Sequence, residues 1–280
     1  MPNSMQPDRS PTAAAKEGAP LPREWLASDG LRLAATTWRA KNAGSSPPQV
    51  LCLAGLSRNS RDFTPLAEAL AARGFDVTAM DYRGRGRSDH DTDWRNYAIE
   101  REAEDIDCGL DALGIPRAIV IGTSRGGLHA MLLALRSSDR VAGMVLNDIG
   151  PTIERDGLHR LAGTIGHTME APDWPSAAAR LRDALGEQFP GLDDAGWERF
   201  ARQLYVETPD GLHLDYDENC ATRLKISTGR RSFRISGPCS MRSAPRRCWR
   251  CGRPFRPVER RNLRRDDAPT PGCTGPHRRG

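Results

Sequence analysis

Short unbroken apolar runs alternate with stretches whose apolar residues recur every three or four positions, and this rhythm persists from residue 23 to residue 151. Residues 31–38 (LRLAATTW) suit a strand, and residues 23–27 are expected to pair with it across Ser28-Asp29-Gly30 as a hairpin, both at a sheet edge. Residues 50–54 (VLCLA) form a continuous apolar run ending at Gly55, the pattern of a strand buried on both faces. Phe63, Leu66, Ala67 and Leu70 then repeat at helical spacing, and Gly74 can close that helix. Residues 75–80 predict a strand running into a glycine-rich turn, DYRGRGRSD, at residues 81–89. Residues 97–113 predict a helix with Ile99, Ala103, Ile106 and Leu110 on one face. A strand at 118–122, a helix at 126–136 and a strand at 141–146 complete the series. Such alternation implies an α/β fold: a mostly parallel, doubly wound sheet with helices on both faces and, here, no internal repeat.

From residue 152 to residue 216 the β pattern is expected to stop, and short amphipathic helices broken by Pro172, Pro175, Pro190 and Pro209 take over. A helical insertion after a strand is a common form of lid, and residues 152–218 are assigned to one. Its apolar side chains include Leu161, Trp174, Leu181, Leu185, Phe189, Trp197, Phe200 and Leu204. Packing of the lid on its base is enough to explain each of them singly.

Composition changes the picture only at the C-terminus. The chain of 280 residues is 38% apolar, below the roughly 45–50% usual for globular chains, and residues 219–280 lower the mean. They carry 17 Lys+Arg against 3 Asp+Glu, a net of +14, whereas residues 1–218 carry 24 against 33, a net of −9. An acidic body argues against nucleic acid or membrane as its partner, because phosphate binding needs a basic face. A small-molecule substrate is expected instead. Five of the seven cysteines crowd the same basic segment, and nothing points to a disulfide framework. Residues 1–22, polar and rich in Pro and Ala without a long apolar run, read as a disordered arm of a cytoplasmic protein.

One motif carries chemistry. The expected strand AIVIG runs directly into Thr123-Ser124-Arg125-Gly126-Gly127 and then a helix, so residues 122–126 are GxSxG between a strand and a helix. A sharp turn there exposes the serine in a strained conformation, and the flanking glycines let neighbouring backbone approach. Ser124 would then stand at the carboxyl end of the sheet, where open α/β sheets bind ligands. The backbone N–H of Arg125, opening the helix, is suited to holding an oxyanion. GRGRS lacks the spacing of a dinucleotide fingerprint, no Walker lysine follows a glycine loop, and no cofactor or metal is expected for this body.

From about Arg23 to Asp217 the chain resembles the α/β-hydrolase fold family. The resemblance rests on four motifs in order: LCLAGLSRNSRDF, DYRGRGRSD, the GxSxG elbow and VLNDIGP. It implies a Ser124 nucleophile, an oxyanion hole from the backbone N–H groups of Leu56 and Arg125, and hydrolysis of a small ester, lactone or related carbonyl compound. Ala54 stands where many members have histidine, which matters little for a backbone donor. Dehalogenation is disfavoured, because such relatives carry aspartate at the elbow. Arg58 and Arg125 are expected either to face the pocket and favour a substrate carboxylate or, equally, to pair with Asp62 and to point to solvent, respectively.

A serine needs a histidine within reach and an acid behind it, and the family supplies these from strands after the lid. Neither strand is visible after Glu218. Asp148, at the end of the strand before the lid, is an alternative acid position. None of His90, His129, His159, His167, His213 and His277 is expected to serve as base. Little or no turnover is therefore expected. The Arg, Pro, Gly, Ala, Ser and Cys of residues 219–280 are what GC-rich DNA yields out of frame. One base restored at Asn219 permits ENCATRLKIST to read as EKLRDALEDID, an amphipathic helix. In that frame the codons of residues 248–251 permit LLALR, a buried strand, and a second restored base near Gly252 permits GALSDLLSAETFAEMTRRHP. The competing reading is a hydrolase-fold binding protein in which Cys239, Cys248, Cys251, Cys273 and His277 hold zinc and the arginines bind nucleic acid.

Overall fold

The computed structural model describes residues 19–41, 47–150 and 170–220. The chain divides into two units, Met1–Ser243 and Ala244–Gly280, and every described residue belongs to the first. Its elements are β1 (Leu21–Leu26), β2 (Arg32–Trp38), β3 (Gln49–Leu53), α1 (Thr64–Ala71), β4 (Asp76–Asp81), α2 (Ile99–Ala112), β5 (Ala118–Thr123), α3 (Arg125–Arg136) and β6 (Val141–Asn147). After them come α4 (Trp174–Leu185), α5 (Asp194–Leu204), β7 (Tyr205–Thr208) and β8 (Gly211–Leu214).

Six strands form one sheet in the order β1-β2-β4-β3-β5-β6. The pairs β4–β3, β3–β5 and β5–β6 are parallel, and β1–β2 and β2–β4 are antiparallel. The sheet is thus mostly parallel and flanked by helices, as the apolar rhythm predicts. Of the β1–β2 hairpin, however, only β1 lies at an edge. The expectation for β2 fails because its residues Leu33, Ala34, Ala35 and Trp38 are buried and its far side pairs with β4.

Two apolar clusters hold the layers. On one face Leu51, Leu53, Val120 and Met80 pack with Ile106 and Leu110 of α2 and with Ala130 and Leu133 of α3. On the other, Val50, Cys52, Val77 and Ala79 pack with Phe63 and with Ala67 and Ala71 of α1. Strand residues of alternating parity therefore feed both cores, which is why β3 is apolar from Val50 to Leu53.

The segment after β6 differs from its expectation. Helices α4 and α5 are present, each opened by an aspartate side chain that accepts a backbone N–H: Asp173 from Ser176 at 2.8 Å and Asp193 from Gly196 at 2.7 Å. The β pattern nevertheless returns as the hairpin β7–β8, whose Tyr205 and Leu212 close the core of this segment with Leu181, Trp197 and Ala201. Each strand is only four residues long, too short for alternation to stand out, and Pro209-Asp210 makes the turn between them. Leu161 lies outside the described residues, as do residues 1–18, the Cys/His set of the zinc reading and residues 221–280 of the segment attributed to a shifted frame, while Leu21 and Pro22 of the expected arm open β1. No helix among the described residues is long and apolar enough to cross a membrane.

Candidate active site

The end of β5 delivers Ser124 into a turn of one residue before α3 begins. Its φ is 51° with ψ −111°, a conformation costly for a residue with a side chain. Close packing maintains it. A Cβ on Gly126 would lie 2.0 Å from the carbonyl oxygen of Leu53, and one on Gly122 would lie 2.3 Å from that of Gly126. Both positions therefore admit only glycine, and this lets the first turn of α3 rest against the end of β3. The N–H of Ser124 donates to Asn147 at 2.9 Å, and its carbonyl accepts from Gly127 at 2.9 Å. The side chain is half-buried, and among the described residues no group hydrogen-bonds its hydroxyl.

Leu56 follows β3, with Arg58 donating back to Gly55 at 3.2 Å to form the turn. Among the described residues no acceptor takes the N–H of Leu56 or of Arg125. These are the two groups that the sequence assigns to an oxyanion hole. The loop carrying Leu56 is held through its other atoms: the Tyr82 hydroxyl donates to Ala54 at 3.1 Å, Arg85 Nε donates to the Leu56 carbonyl at 2.8 Å, and Ser60 N–H donates to Asp81 at 2.6 Å.

Below the elbow lies a charged cluster that sequence reading missed. Glu102 of α2 is fully buried. Its Oε1 accepts from Arg85 NH1 at 2.9 Å, and its Oε2 accepts from Arg125 Nε at 2.6 Å and pairs with His129 Nε2 at 2.9 Å. Burial alone would raise the Glu102 carboxyl, but Arg125, Arg85 and the His129 hydrogen bond hold it far below the usual carboxylate range. Burial depresses His129 and overrides the pull of Glu102, so the imidazole is neutral and donates from Nε2, leaving Nδ1 without a partner among the described residues. A Glu at the fourth position of an otherwise amphipathic helix reads as surface; only the cationic turn of residues 83–87 hinted at its burial. Arg83 makes a parallel pair, bidentate to Asp105 at 2.7 Å for both bonds.

The arginine expectations separate. Arg58 is bidentate to Asp62 at 2.6 Å for both bonds and stacks over Phe200 at 4.8 Å, so the Asp62 pairing holds. Arg125 does neither of the things expected of it: its side chain points down to Glu102 and reaches the Tyr97 carbonyl at 3.3 Å. A buried carboxylate attracts a nearby guanidinium more strongly than solvent does.

Asp148 follows β6 directly with φ 53° and is exposed, and among the described residues nothing pairs with it. Of the described histidines, His129 is committed to Glu102 and stacks near Tyr82, with ring centroids 5.0 Å apart. His90 is exposed at 3.8 Å from Asp217, and His213 lies 3.7 Å from Glu170. Among the described residues, no group of three His, Cys, Asp or Glu side chains is gathered to hold a metal ion.

The loop after Leu56 also grips the segment beyond α5. Arg61 pairs with Asp215 at 2.6 Å and donates to the carbonyls of Gln203 and Tyr205, and Asn59 Nδ2 donates to Gln203 at 3.1 Å. Asp217 N–H in turn donates to Gly84 at 2.7 Å.

A family model of the alpha/beta hydrolase fold matches residues 48–194. The chain is 28% identical to the 3-hydroxybutyrate-oligomer hydrolase of Cupriavidus necator, over 66% of this chain and 64% of that protein. It is 31% identical to the sn-1-specific diacylglycerol lipase ABHD11 of Mus musculus, over 57% and 52% respectively, so it spans less than two thirds of either relative. Among solved structures, an alpha/beta hydrolase from Novosphingobium aromaticivorans superposes with a TM-score of 0.68 at 38% identity, covering 74% of this chain and 71% of that one. Sheet order, elbow and relatives agree, and the chain belongs to the alpha/beta hydrolase fold family.

Proposed function

We propose that this body is a serine hydrolase acting on a small ester, lactone or related carbonyl substrate. Ser124 Oγ attacks the carbonyl carbon, and the N–H groups of Leu56 and Arg125 receive the oxyanion. The single observation that carries the reading is the Ser124 conformation, φ 51° at a strand-to-helix junction between two unsubstitutable glycines. The pair of N–H groups without acceptors among the described residues supports it. The names of the two relatives, one for hydrolysis of 3-hydroxybutyrate oligomers and one for diacylglycerol, favour an ester. The acidic balance of residues 1–218 favours a small molecule over nucleic acid or membrane.

Catalysis in this chain is impaired under the same proposal. A serine hydroxyl attacks slowly without a base, and each described histidine is engaged elsewhere or exposed. The composition and codon reading of residues 219–280 support a shifted frame as the cause. The test is prolonged incubation with an alkyl fluorophosphonate followed by peptide mapping. Slow modification at Ser124, absent from Ser124→Ala, is expected. Modification only at other residues would overturn the nucleophile assignment.

A further inference from the structure

The two N–H groups assigned to the oxyanion hole come from distant parts of the chain, Leu56 after β3 and Arg125 after β5, and they must face one oxygen atom. Backbone packing fixes Arg125 through the glycine contacts, whereas the Leu56 turn is held by side chains, with Tyr82 on the Ala54 carbonyl and Arg85 on the Leu56 carbonyl. One buried side chain reaches both. Glu102 Oε1 holds Arg85 NH1 at 2.9 Å, and Arg85 Nε holds the Leu56 carbonyl at 2.8 Å. Glu102 Oε2 holds Arg125 Nε at 2.6 Å. Arg85 is further fixed by the Arg83 carbonyl at 2.7 Å and lies near the rings of Tyr82 and Tyr97.

We propose that Glu102 is a positioning residue for the oxyanion hole: its two carboxylate oxygens, acting through Arg85 and Arg125, set the spacing of the Leu56 and Arg125 N–H groups. Glu102 touches no substrate. Three features favour this role over a simple internal ion pair. The bridge is split, one oxygen to each half of the site. Arg85 spends its Nε on a backbone carbonyl rather than on the carboxylate, so a bidentate pair is forgone in favour of the loop. Arg125, which has solvent within reach, turns inward instead. Preorganised donors contribute to rate only when aimed at the position the developing charge will occupy, and small misplacement is costly.

The inference rests on the Ser124 reading, and the test separates the two. Phosphonylation forms a bond from Ser124 Oγ to phosphorus, breaks the phosphorus–fluorine bond, releases fluoride and gives the serine proton to solvent. The phosphoryl oxygen occupies the oxyanion hole during the step. The saturation constant and the limiting rate of capture are measured by intact mass for the parent, Glu102→Gln, Arg125→Met and Arg125→Lys, with the site mapped in each. For Glu102→Gln the limiting rate should fall at least ~10-fold with the saturation constant nearly unchanged, since loss of one aligned donor costs ~10²–10³ in such sites. Arg125→Met, which removes one of the two links from Glu102 and leaves the Arg85 link in place, should show a smaller fall, and Arg125→Lys should recover most of it by restoring a cation beside Glu102. Equal limiting rates in the folded Arg125→Met and Glu102→Gln proteins would overturn the positioning role while leaving Ser124 in place. A rate that falls only in proportion to the folded fraction, read by circular dichroism on the same samples, would overturn it as well. Absence of label from Ser124 in the parent would overturn both readings.

Discussion

The N–H of Ser124 donates to the carbonyl of Asn147 across 2.9 Å, tying the elbow at the end of β5 to the end of β6. The bond holds the serine in its turn from one side while Gly122 and Gly126 admit the helix from the other. Strain of this kind costs of order 1–3 kcal/mol, and glycine relieves it at an entropic cost of roughly 0.5–1 kcal/mol. Ser124→Gly should therefore stabilise the fold by about 1 kcal/mol, while Ser124→Ala, still strained, should leave it nearly unchanged. Urea denaturation of the three proteins measures the difference, and equal stability for Gly and Ala would remove the strain argument.

Gly126→Ala should behave oppositely. The added carbon has nowhere to go, because it meets backbone of Leu53 rather than a flexible side chain. A loss above ~3 kcal/mol or failure to fold is expected, since backbone clashes in a core belong to the severe class of substitutions. A melting temperature within a few degrees of the parent would show that α3 can move away from β3.

Much of this was legible in the sequence. Residues 118–136 were legible as strand, elbow and helix because GxSxG stands directly between an apolar strand run and a helical pattern. The parallel centre was legible because β3 is apolar on both faces. The inner position of β2 was not: its mixture of Thr and Ala resembles an edge strand, and only pairing with β4 buries it. Glu102 was hidden for a related reason. A buried carboxylate has the same sequence signature as an exposed one, and its partners Arg85 and Arg125 lie 17 and 23 residues away.

His129 gives the fold an acid-side dependence. Burial holds its folded pKa below the ordinary 6.5, against the opposing hydrogen bond to Glu102, with Arg125 and Arg85 adding to the depression. As pH falls below 6.5 the unfolded chain takes up a proton that the folded imidazole refuses, so stability declines with acidification. His129→Gln keeps a donor to Glu102 and removes this titration. Its urea midpoint should change less between pH 7 and pH 5 than that of the parent; parallel curves would place the acid sensitivity elsewhere.

Strand β6 pairs only with β5 among the described residues, and Met144 and Val145 are 37% and 51% exposed. An apolar edge with free backbone groups recruits further strands. Concentration-dependent association is expected in sedimentation velocity, and Val145→Lys should reduce it markedly without altering the fold. Unchanged association in that variant would exonerate the edge.

Under the proposed function this chain keeps a hydrolase elbow without its base. Ester hydrolysis by the chain as written, by a version with one base restored near Asn219 and another near Gly252, and by Ser124→Ala of each tests it most directly. The account predicts that the restored version exceeds the present chain by at least ~10³-fold and that Ser124→Ala abolishes the gain, as for triads deprived of a member. High turnover by the present chain that is lost in Ser124→Ala would contradict the account, because a base would then already be in place.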